Sequence, residues 1–517
     1  MATPVPACPS VETFPPRVTL RNYFARPYDS AIAAARTCYS PSIVTPDQVS
    51  DKQRLTIGAA TFYGGHHTVY QHAHFEFGLE NVSRQFVWSF LHSHPFYNSE
   101  QQSQRYVRLD RVQAFVPPLA PAAKAVYEQA VARAWKSYRE LTALLREDAR
   151  KILAEIWHLA SMSHPRRGQK VERLAEKKAI EVARYVLPVA AFTTLVHTLS
   201  GIVLHRLWRM VAAGDTPHEA QQVVGEMVER VKEVDSQFFE RFLNSPLAEE
   251  EIPEWRWAGK QSSALAEFDG QLAGRVSKLV DFSPHAGRVV AQAFRAVLGI
   301  SEAECSDGEA LDRLLNPARN PYRLETLNIG VHSPMMRALQ HAHYTFFKKI
   351  SHTADSQDQR HRMVPASRPM LVLADTREPD FVMPGLIRSN PRARERFEQA
   401  MHDAWAAKND LLDRGVPPEF ALYLLPNAKA IRLVESGSLL HLLHKWTMRT
   451  CFNAQEEIYS ASMDELEQIG RIHPEIARWL GPPCYIRAGI TTPICTEGSH
   501  FCGIKVWENF PNIQRRI

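Results

Sequence analysis

Between His92 and Tyr106 the chain reads HSHPFYNSEQQSQRY, with Ser83-Arg84 shortly before it. Two histidines, a run of amides and hydroxyls and a closing arginine stand where an ordinary core helix would carry an apolar stripe. Such side chains hold a polar ligand by hydrogen bonds; they do not fill a core. A second group of chemistry-bearing residues lies in the tail, where CYIRAGITTPICTEGSHFC brings Cys484, Cys495 and Cys502 together with His500, and Cys451 precedes them. In a reducing compartment four such thiolates suit zinc or an iron–sulfur cluster, although no tight C-x2-C knuckle is present. Left unliganded, they would be buried thiols. The chain offers no persuasive Cys/His or Ser/His pair for nucleophilic catalysis.

These groups need a frame to position them. At 517 residues the chain is too long for one ordinary core, so at least two domains are expected. A composition of 45% hydrophobic and 23% charged residues is that of a soluble globular protein. There is no uninterrupted apolar run of about 18 residues and no basic, apolar leader at the N-terminus, so a cytoplasmic protein without a membrane partner is expected. The formal net charge of +5 is mild; it allows a phosphate-bearing small ligand and does not call for a nucleic acid. Seven cysteines in so long a chain do not suggest a secreted disulfide framework.

The chain repeats itself in order. YEQAVARAW (Tyr127–Trp135) answers FEQAMHDAW (Phe397–Trp405), both with the period of an amphipathic helix. ARYVLPVA (Ala183–Ala190) answers ALYLLPNA (Ala421–Ala428), followed by LHRLWRM (Leu204–Met210) and LLHKWTMR (Leu442–Arg449). TLRNYFARPYDSAIAAAR (Thr19–Arg36) resembles KLVDFSPHAGRVVAQAF (Lys278–Phe294). The order predicts a tandem duplication with units 1–265 and 266–517. HTADSQDQRHR (His352–Arg362) is matched to NSEQQSQRYVR (Asn98–Arg108) through Gln104-Arg105 and Gln359-Arg360. The tetrapeptide QHAH at Gln71 and again at Gln340 is not taken as equivalent, because its distance to those pairs differs. The basic stretch His164–Lys178, extra to the first half, reads as a solvated loop and helix start.

AARTCYS (Ala34–Ser40), GHHTVYQHAHFEF (Gly65–Phe77), VSR ahead of LHSHPFYNSEQQSQRY, ARYVLP and MRTCFNAQEEI (Met448–Ile458) together resemble the flavin-dependent thymidylate synthases. The resemblance covers most of the first half and the helical part of the second. It implies two α+β units, helix-rich with short β-sheets. It also implies an FAD enzyme that moves a one-carbon unit from methylene-tetrahydrofolate to dUMP, with NAD(P)H re-reducing the flavin. The family's tetramer implies a homodimer of this fused chain.

Residue by residue, the resemblance assigns Gln101, Ser103, Gln104 and Arg105 to the nucleotide phosphate, where a guanidinium forks onto oxygens and a hydroxyl completes the cradle. Arg184 is the second nucleotide arginine. His66, Thr68, Gln71 (in place of a family glutamate) and His72 fall at flavin positions. The family signature begins Arg-His-Arg; the resemblance puts His92-Ser93-His94 there, so His92 and His94 exchange two permanent charges for two conditional ones. Arg449 falls where the family arginine stabilises charge developing on the uracil ring; the first half has Val211 at that position. In the second half Asp358 is set against Ser103 and Leu422 against Arg184. One composite site is expected, with Arg105 and Arg184 from one half and Arg449 from the other. Two alternatives stand beside it: a related flavin enzyme, metal-containing or not, on another pyrimidine nucleotide, and a non-catalytic nucleotide-binding scaffold.

Overall fold

The structure is a computed structural model that describes residues 10–159, 165–240, 245–258 and 263–517. It is α+β. The first half carries strands β1 (Arg17–Tyr23), β2 (His74–Ser83), β3 (Tyr97–Gln101) and β4 (Phe192–Ser200). Its main helices are α1 (Pro27–Thr37), α2 (Arg84–His92), α3 (Pro121–Ile156), α4 (Pro165–Ala183), α5 (Gly201–Arg209) and α6 (Pro217–Val234). The second half carries β5 (Ser277–Phe282), β6 (His343–Ser351), β7 (Ala366–Ser367) and β8 (Ala430–Ser438). Its main helices are α7 (Ala264–Leu272), α8 (Ala286–Leu298), α9 (His352–Asp358), α10 (Pro391–Asp413), α11 (Leu439–Arg449) and α12 (Glu456–Ile472). Both sheets are antiparallel, ordered β1-β2-β4-β3 and β5-β6-β8-β7. Among the described residues no helix is long and apolar enough to cross a membrane.

Register shows which residues correspond, because a one-residue slip would turn a strand's buried set to the wrong face. His74 pairs with Ser200 and His343 with Ser438, and each serine opens the next helix. The two QHAH tetrapeptides are therefore equivalent, contrary to the expectation. Ser83 caps α2 by accepting the Phe86 N–H, and Ser351 caps α9 by accepting the Ala354 N–H. Counting along these helices sets Arg360-His361-Arg362, not Gln104-Arg105's match, against His92-Ser93-His94. Ser99 pairs with His197 and Ala366 with Glu435, which are themselves equivalent across Phe77 and Phe346. Continuing from there, Met370 stands against Ser103 and Val372 against Arg105. The match through the two Gln-Arg dipeptides, and Asp358 against Ser103, are thus overturned: a shared dipeptide outweighed strand register in the reading of the sequence.

The halves meet around ARYVLPVA and ALYLLPNA in a reciprocal exchange. Val189 N–H donates to the Leu425 carbonyl at 2.8 Å and Asn427 N–H to the Leu187 carbonyl at 2.8 Å. Ala190 and Ala428 N–H donate to the carbonyls of Tyr423 and Tyr185 in the same way. Buried Glu219 accepts from Ser83 N–H (2.7 Å) and Tyr423 O–H (2.6 Å); buried Glu457 accepts from Ser351 N–H (2.6 Å) and Tyr185 O–H. One apolar cluster runs through both halves, with Tyr127 and Trp135 of α3 and Phe397 and Trp405 of α10 in it. Residue 265, the expected boundary, falls inside α7, which stacks Phe268 on Phe347 of β6 and sets Asp269 against Arg432 of β8.

Candidate functional site

β3 runs into a turn that carries Ser103, Gln104 and Arg105, and α4 ends in a turn that carries Arg184. Across the interface, α9 presents Thr353, Ser356 and Gln357 and leads into Arg360. These residues, with Arg84, Gln101, Gln102 and Tyr106, line one cavity of about 150 Å3. Five expected residues, Gln101, Ser103, Gln104, Arg105 and Arg184, are thus brought together. Arg449, at the end of α11, lies beside them: its Nε donates to His361 Nε2 at 2.9 Å and its Nη2 to the Gln357 carbonyl at 3.3 Å.

The cluster is strongly cationic. Burial, with Arg184 and Arg360 adding repulsion, pulls Arg84 down to about 9. Burial, followed by Arg105 and Arg360, lowers Arg449 to about 10 against the opposing pull of Asp358. Burial also lowers Arg184, although Glu181 opposes it. Arg105 keeps its charge through Glu181, which accepts its Nε at 3.0 Å, while its Nη2 donates to the Asn453 carbonyl at 2.9 Å. Buried guanidiniums that repel one another are costly without a counter-anion, so the cavity is chemically a receptor for a dianion such as phosphate.

A second cavity of about 290 Å3 adjoins the first through Gln101 and Arg360 and is lined by Tyr97, Ser99, Val196, Thr198, Gln359 and Arg362. Ser99 Oγ and Gln359 Oε1 in its wall are buried without a hydrogen-bond partner. Two guanidiniums, an apolar wall and two orphaned polar atoms fit part of a dinucleotide such as FAD. Sequence reading missed Gln357 and Arg360-His361-Arg362. Equivalence of the QHAH tetrapeptides and of the capping serines was the signal that would have found them.

His92 and His94 lie elsewhere and apart. His92 is buried beside Asp355 (3.7 Å), and burial lowers it to about 3. His94 borders an apolar cavity of about 340 Å3 with Arg206 and Val211, and burial lowers it to about 4. Both are neutral at pH 7, so the expected conditional charges are absent. At the place that mirrors the arginine cavity, Asp355 corresponds to Val87, Trp88 to Ser356 and Arg368 to Gln101. There Arg368 forks onto Asp355 (2.7 and 2.8 Å) and the Trp88 indole N–H donates to the same carboxylate (2.8 Å). Those side chains fill the space. His66, Thr68, Gln71 and His72 are exposed, on or beside the 3-10 segment His67–His72, and line neither cavity of the cleft.

The metal centre expected at the four tail cysteines is not supported. Among the described residues no group of three or more His, Cys, Asp or Glu side chains could hold a metal ion. Cys451, Cys484, Cys495 and Cys502 are free. Burial pushes the Cys451 and Cys484 thiols up to about 12, and Cys484 and Cys502 pack on an apolar cluster around Phe452 and Val506. Cys484 and Cys502 thus serve as small side chains against that cluster.

A paired α+β frame carries a guanidinium-lined cleft between its halves, a lining suited to a phosphorylated small molecule. The family model described as thymidylate synthase complementing protein matches residues 19–235 and 278–475. The chain belongs to that family. It is 34% identical over 168 residues to the flavin-dependent thymidylate synthase of Geobacter sulfurreducens, covering 32% of this chain and 70% of the relative. It is 30% identical over 229 residues to the flavin-dependent thymidylate synthase of Clostridium tetani, covering 43% of this chain and 85% of the relative.

Proposed function

We propose that the protein converts dUMP to dTMP by reductive methylation, with methylene-tetrahydrofolate as carbon donor, FAD as cofactor and NAD(P)H as reductant. The observation that carries this is the inter-half arginine cleft, within a chain whose relatives are named flavin-dependent thymidylate synthases. Arg84, Arg105, Arg184 and Ser103 hold the nucleotide phosphate by charge-assisted hydrogen bonds. Arg449, fixed by His361 and the Gln357 carbonyl, faces the uracil ring and stabilises the negative charge that builds there. Arg360 and Arg362 hold the flavin's phosphates, with Ser99 and Gln359 supplying further hydrogen bonds. Bound FAD would supply the hydride that completes the methyl group.

The chain is a tandem duplication in this reading, with the second unit beginning at α7, and it keeps one composite nucleotide site. The first half gives the phosphate cradle; the second gives Gln357, Arg360, Arg362 and Arg449. Exposed His66, Thr68, Gln71 and His72 would reach a flavin only on a neighbouring copy, which favours a homodimer of the fused chain. The test is the ultraviolet–visible spectrum of anaerobically purified protein before and after dUMP, together with rescue of a thymidine auxotroph. Flavin bands that shift with dUMP, plus rescue, are expected; a protein that takes up no FAD and gives no rescue overturns the reading.

A further inference from the structure

Beneath the arginine cleft the second half buries five charges. Lys445 Nζ donates to Asp358 at 2.7 Å and also to Glu435; Lys348 meets Glu435, Glu465 at 2.7 Å and Asp358 at 3.8 Å. None of the five side chains is more than 2% exposed. Glu465 also accepts from Ser277 Oγ (2.9 Å) and the Trp446 indole (2.6 Å). The same places in the first half, by strand register and helix caps, are taken by Leu79, Phe90, His197, Leu207 and Met227, all buried.

That comparison isolates what the charges do. A buried ion network is no better for stability than a well-packed apolar core and is often worse. The first half builds the same sheet and helices with four apolar residues and a neutral histidine, so neither the fold nor its register requires the charges. The network stands only under the half that keeps Gln357, Arg360, His361, Arg362 and Arg449. Asp358 ends α9, between Gln357 and Arg360. Lys445 sits on α11 one turn before Arg449, on the same face. The Lys445–Asp358 bridge therefore ties the two site-bearing helices one rung below the bonds from Arg449 to His361 and Gln357. In the first half that rung is Phe90 and Leu207, and the arginine position is Val211.

We propose that Asp358 and Lys445, backed by Lys348, Glu435 and Glu465, are positioning residues that hold Arg449 in register with Gln357 and His361 over the base of the bound nucleotide. The proposal rests on the thymidylate synthase reading. The network does not touch the nucleotide; it fixes the one arginine that acts on the ring, while the phosphate is held by the other half. Its loss therefore lowers turnover more than dUMP binding.

The test compares wild type, Asp358→Leu/Lys445→Met, which removes the bridge as a pair, and Lys445→Arg, which keeps it. A backup variant carries the first half's own set, K348L/D358F/E435H/K445L/E465M, should the double variant fail to fold. Two readouts are taken: kcat beside the dUMP dissociation constant, and phenylglyoxal labelling of Arg449 followed by mass spectrometry, which needs no turnover. The pair-removal variant is expected to stay folded, to lose kcat by about tenfold or more with dUMP affinity within about threefold, and to label faster at Arg449; Lys445→Arg is expected to restore both readouts. A folded variant with unchanged kcat and unchanged labelling overturns the proposal, as does loss of dUMP affinity equal to the loss of kcat. A wild type that shows no turnover, while its Arg449 labelling still depends on Lys445, faults the thymidylate synthase reading and leaves the positioning role standing.

Discussion

Replacing Arg84 with methionine should move the stability of the free protein and its affinity for dUMP in opposite directions. Arg84 is buried, is repelled by Arg184 and Arg360, and keeps one hydrogen bond, from Nη1 to the Gln102 carbonyl at 3.2 Å. Its fall from 12.5 to about 9 means that holding the charge beside Arg184 and Arg360 in the cleft costs up to roughly 5 kcal/mol. Methionine has a similar length, removes that cost and forfeits one hydrogen bond of about 1 kcal/mol, so a net stabilisation of about 2–4 kcal/mol is expected. The same change removes a charge-assisted contact to phosphate worth about 1.5–3 kcal/mol, a weakening of roughly tenfold to a hundredfold. The sign with pH follows from linkage. Between about 9 and 12.5 the unfolded chain binds the Arg84 proton and the folded chain releases it, so the wild type gains stability as pH rises through about 9. Arg84→Met lacks that gain. Melting curves with and without dUMP, taken from neutral pH to mildly alkaline pH, read all three effects. An Arg84→Met protein that melts lower than wild type without ligand, or binds dUMP as tightly, would refute the view of the cleft as an unneutralised anion receptor.

Four further outcomes follow from the same geometry. Titration calorimetry should find one dUMP per chain, not two, because Trp88, Asp355 and Arg368 fill the mirror position; Trp88→Ser alone should not restore a second site, since Met370, Val372 and Leu422 offer no phosphate ligands there. Arg449→Met should lower kcat by about a hundredfold or more while dUMP affinity changes much less, as kinetics beside calorimetry will show. Glu219 is raised by burial from 4.5 to about 7, so the folded state binds more protons than the unfolded one in that window and stability falls as pH rises through it; Glu219→Gln should flatten this part of the melting profile. Iodoacetamide at pH 8 should modify exposed Cys38 and spare Cys451 and Cys484, whose burial holds them as thiols up to about 12.

Much of the frame was legible because repeated helices and turns leave a pattern in sequence. The pairs around Trp135 and Trp405, and around Leu187 and Leu425, sit where their likeness suggested. Arg105 and Arg184 line the cleft, and Arg449 lies beside it against His361 and Gln357. The missing arginines were misread because two residues of identity, Gln359-Arg360 against Gln104-Arg105, were given more weight than the pleat. Strand pairing shows that QHAH at Gln340 is the true anchor: the spacing from each tetrapeptide to its Gln-Arg pair differs because Gln359-Arg360 and Gln104-Arg105 do not correspond, while the ladder sets His74–Ser200 against His343–Ser438. The tail cysteines were misread for a different reason. Proximity in sequence signals a metal site only when the side chains converge on one point; among the described residues no group of three or more His, Cys, Asp or Glu side chains could hold an ion, and Cys484 and Cys502 pack against the cluster around Phe452 and Val506.

The asymmetry of the two mirror positions has a physical logic. Buried guanidiniums are tolerable in a folded protein to the extent that a ligand or a carboxylate neutralises them, and Glu181 meets only part of that need beside Arg105 and Arg184. A cleft that binds no anion would bear that cost without compensation. The mirror position carries no such cost: Val211, Val372 and Leu422 stand where Arg449, Arg105 and Arg184 stand opposite, and a single Arg368 is satisfied by a carboxylate of its own, Asp355. The retained side runs the argument in reverse. In the proposed reading an anionic ligand offsets the repulsion that Arg84 meets from Arg184 and Arg360 and that Arg449 meets from Arg105 and Arg360, so the side that keeps these arginines is the side that binds it.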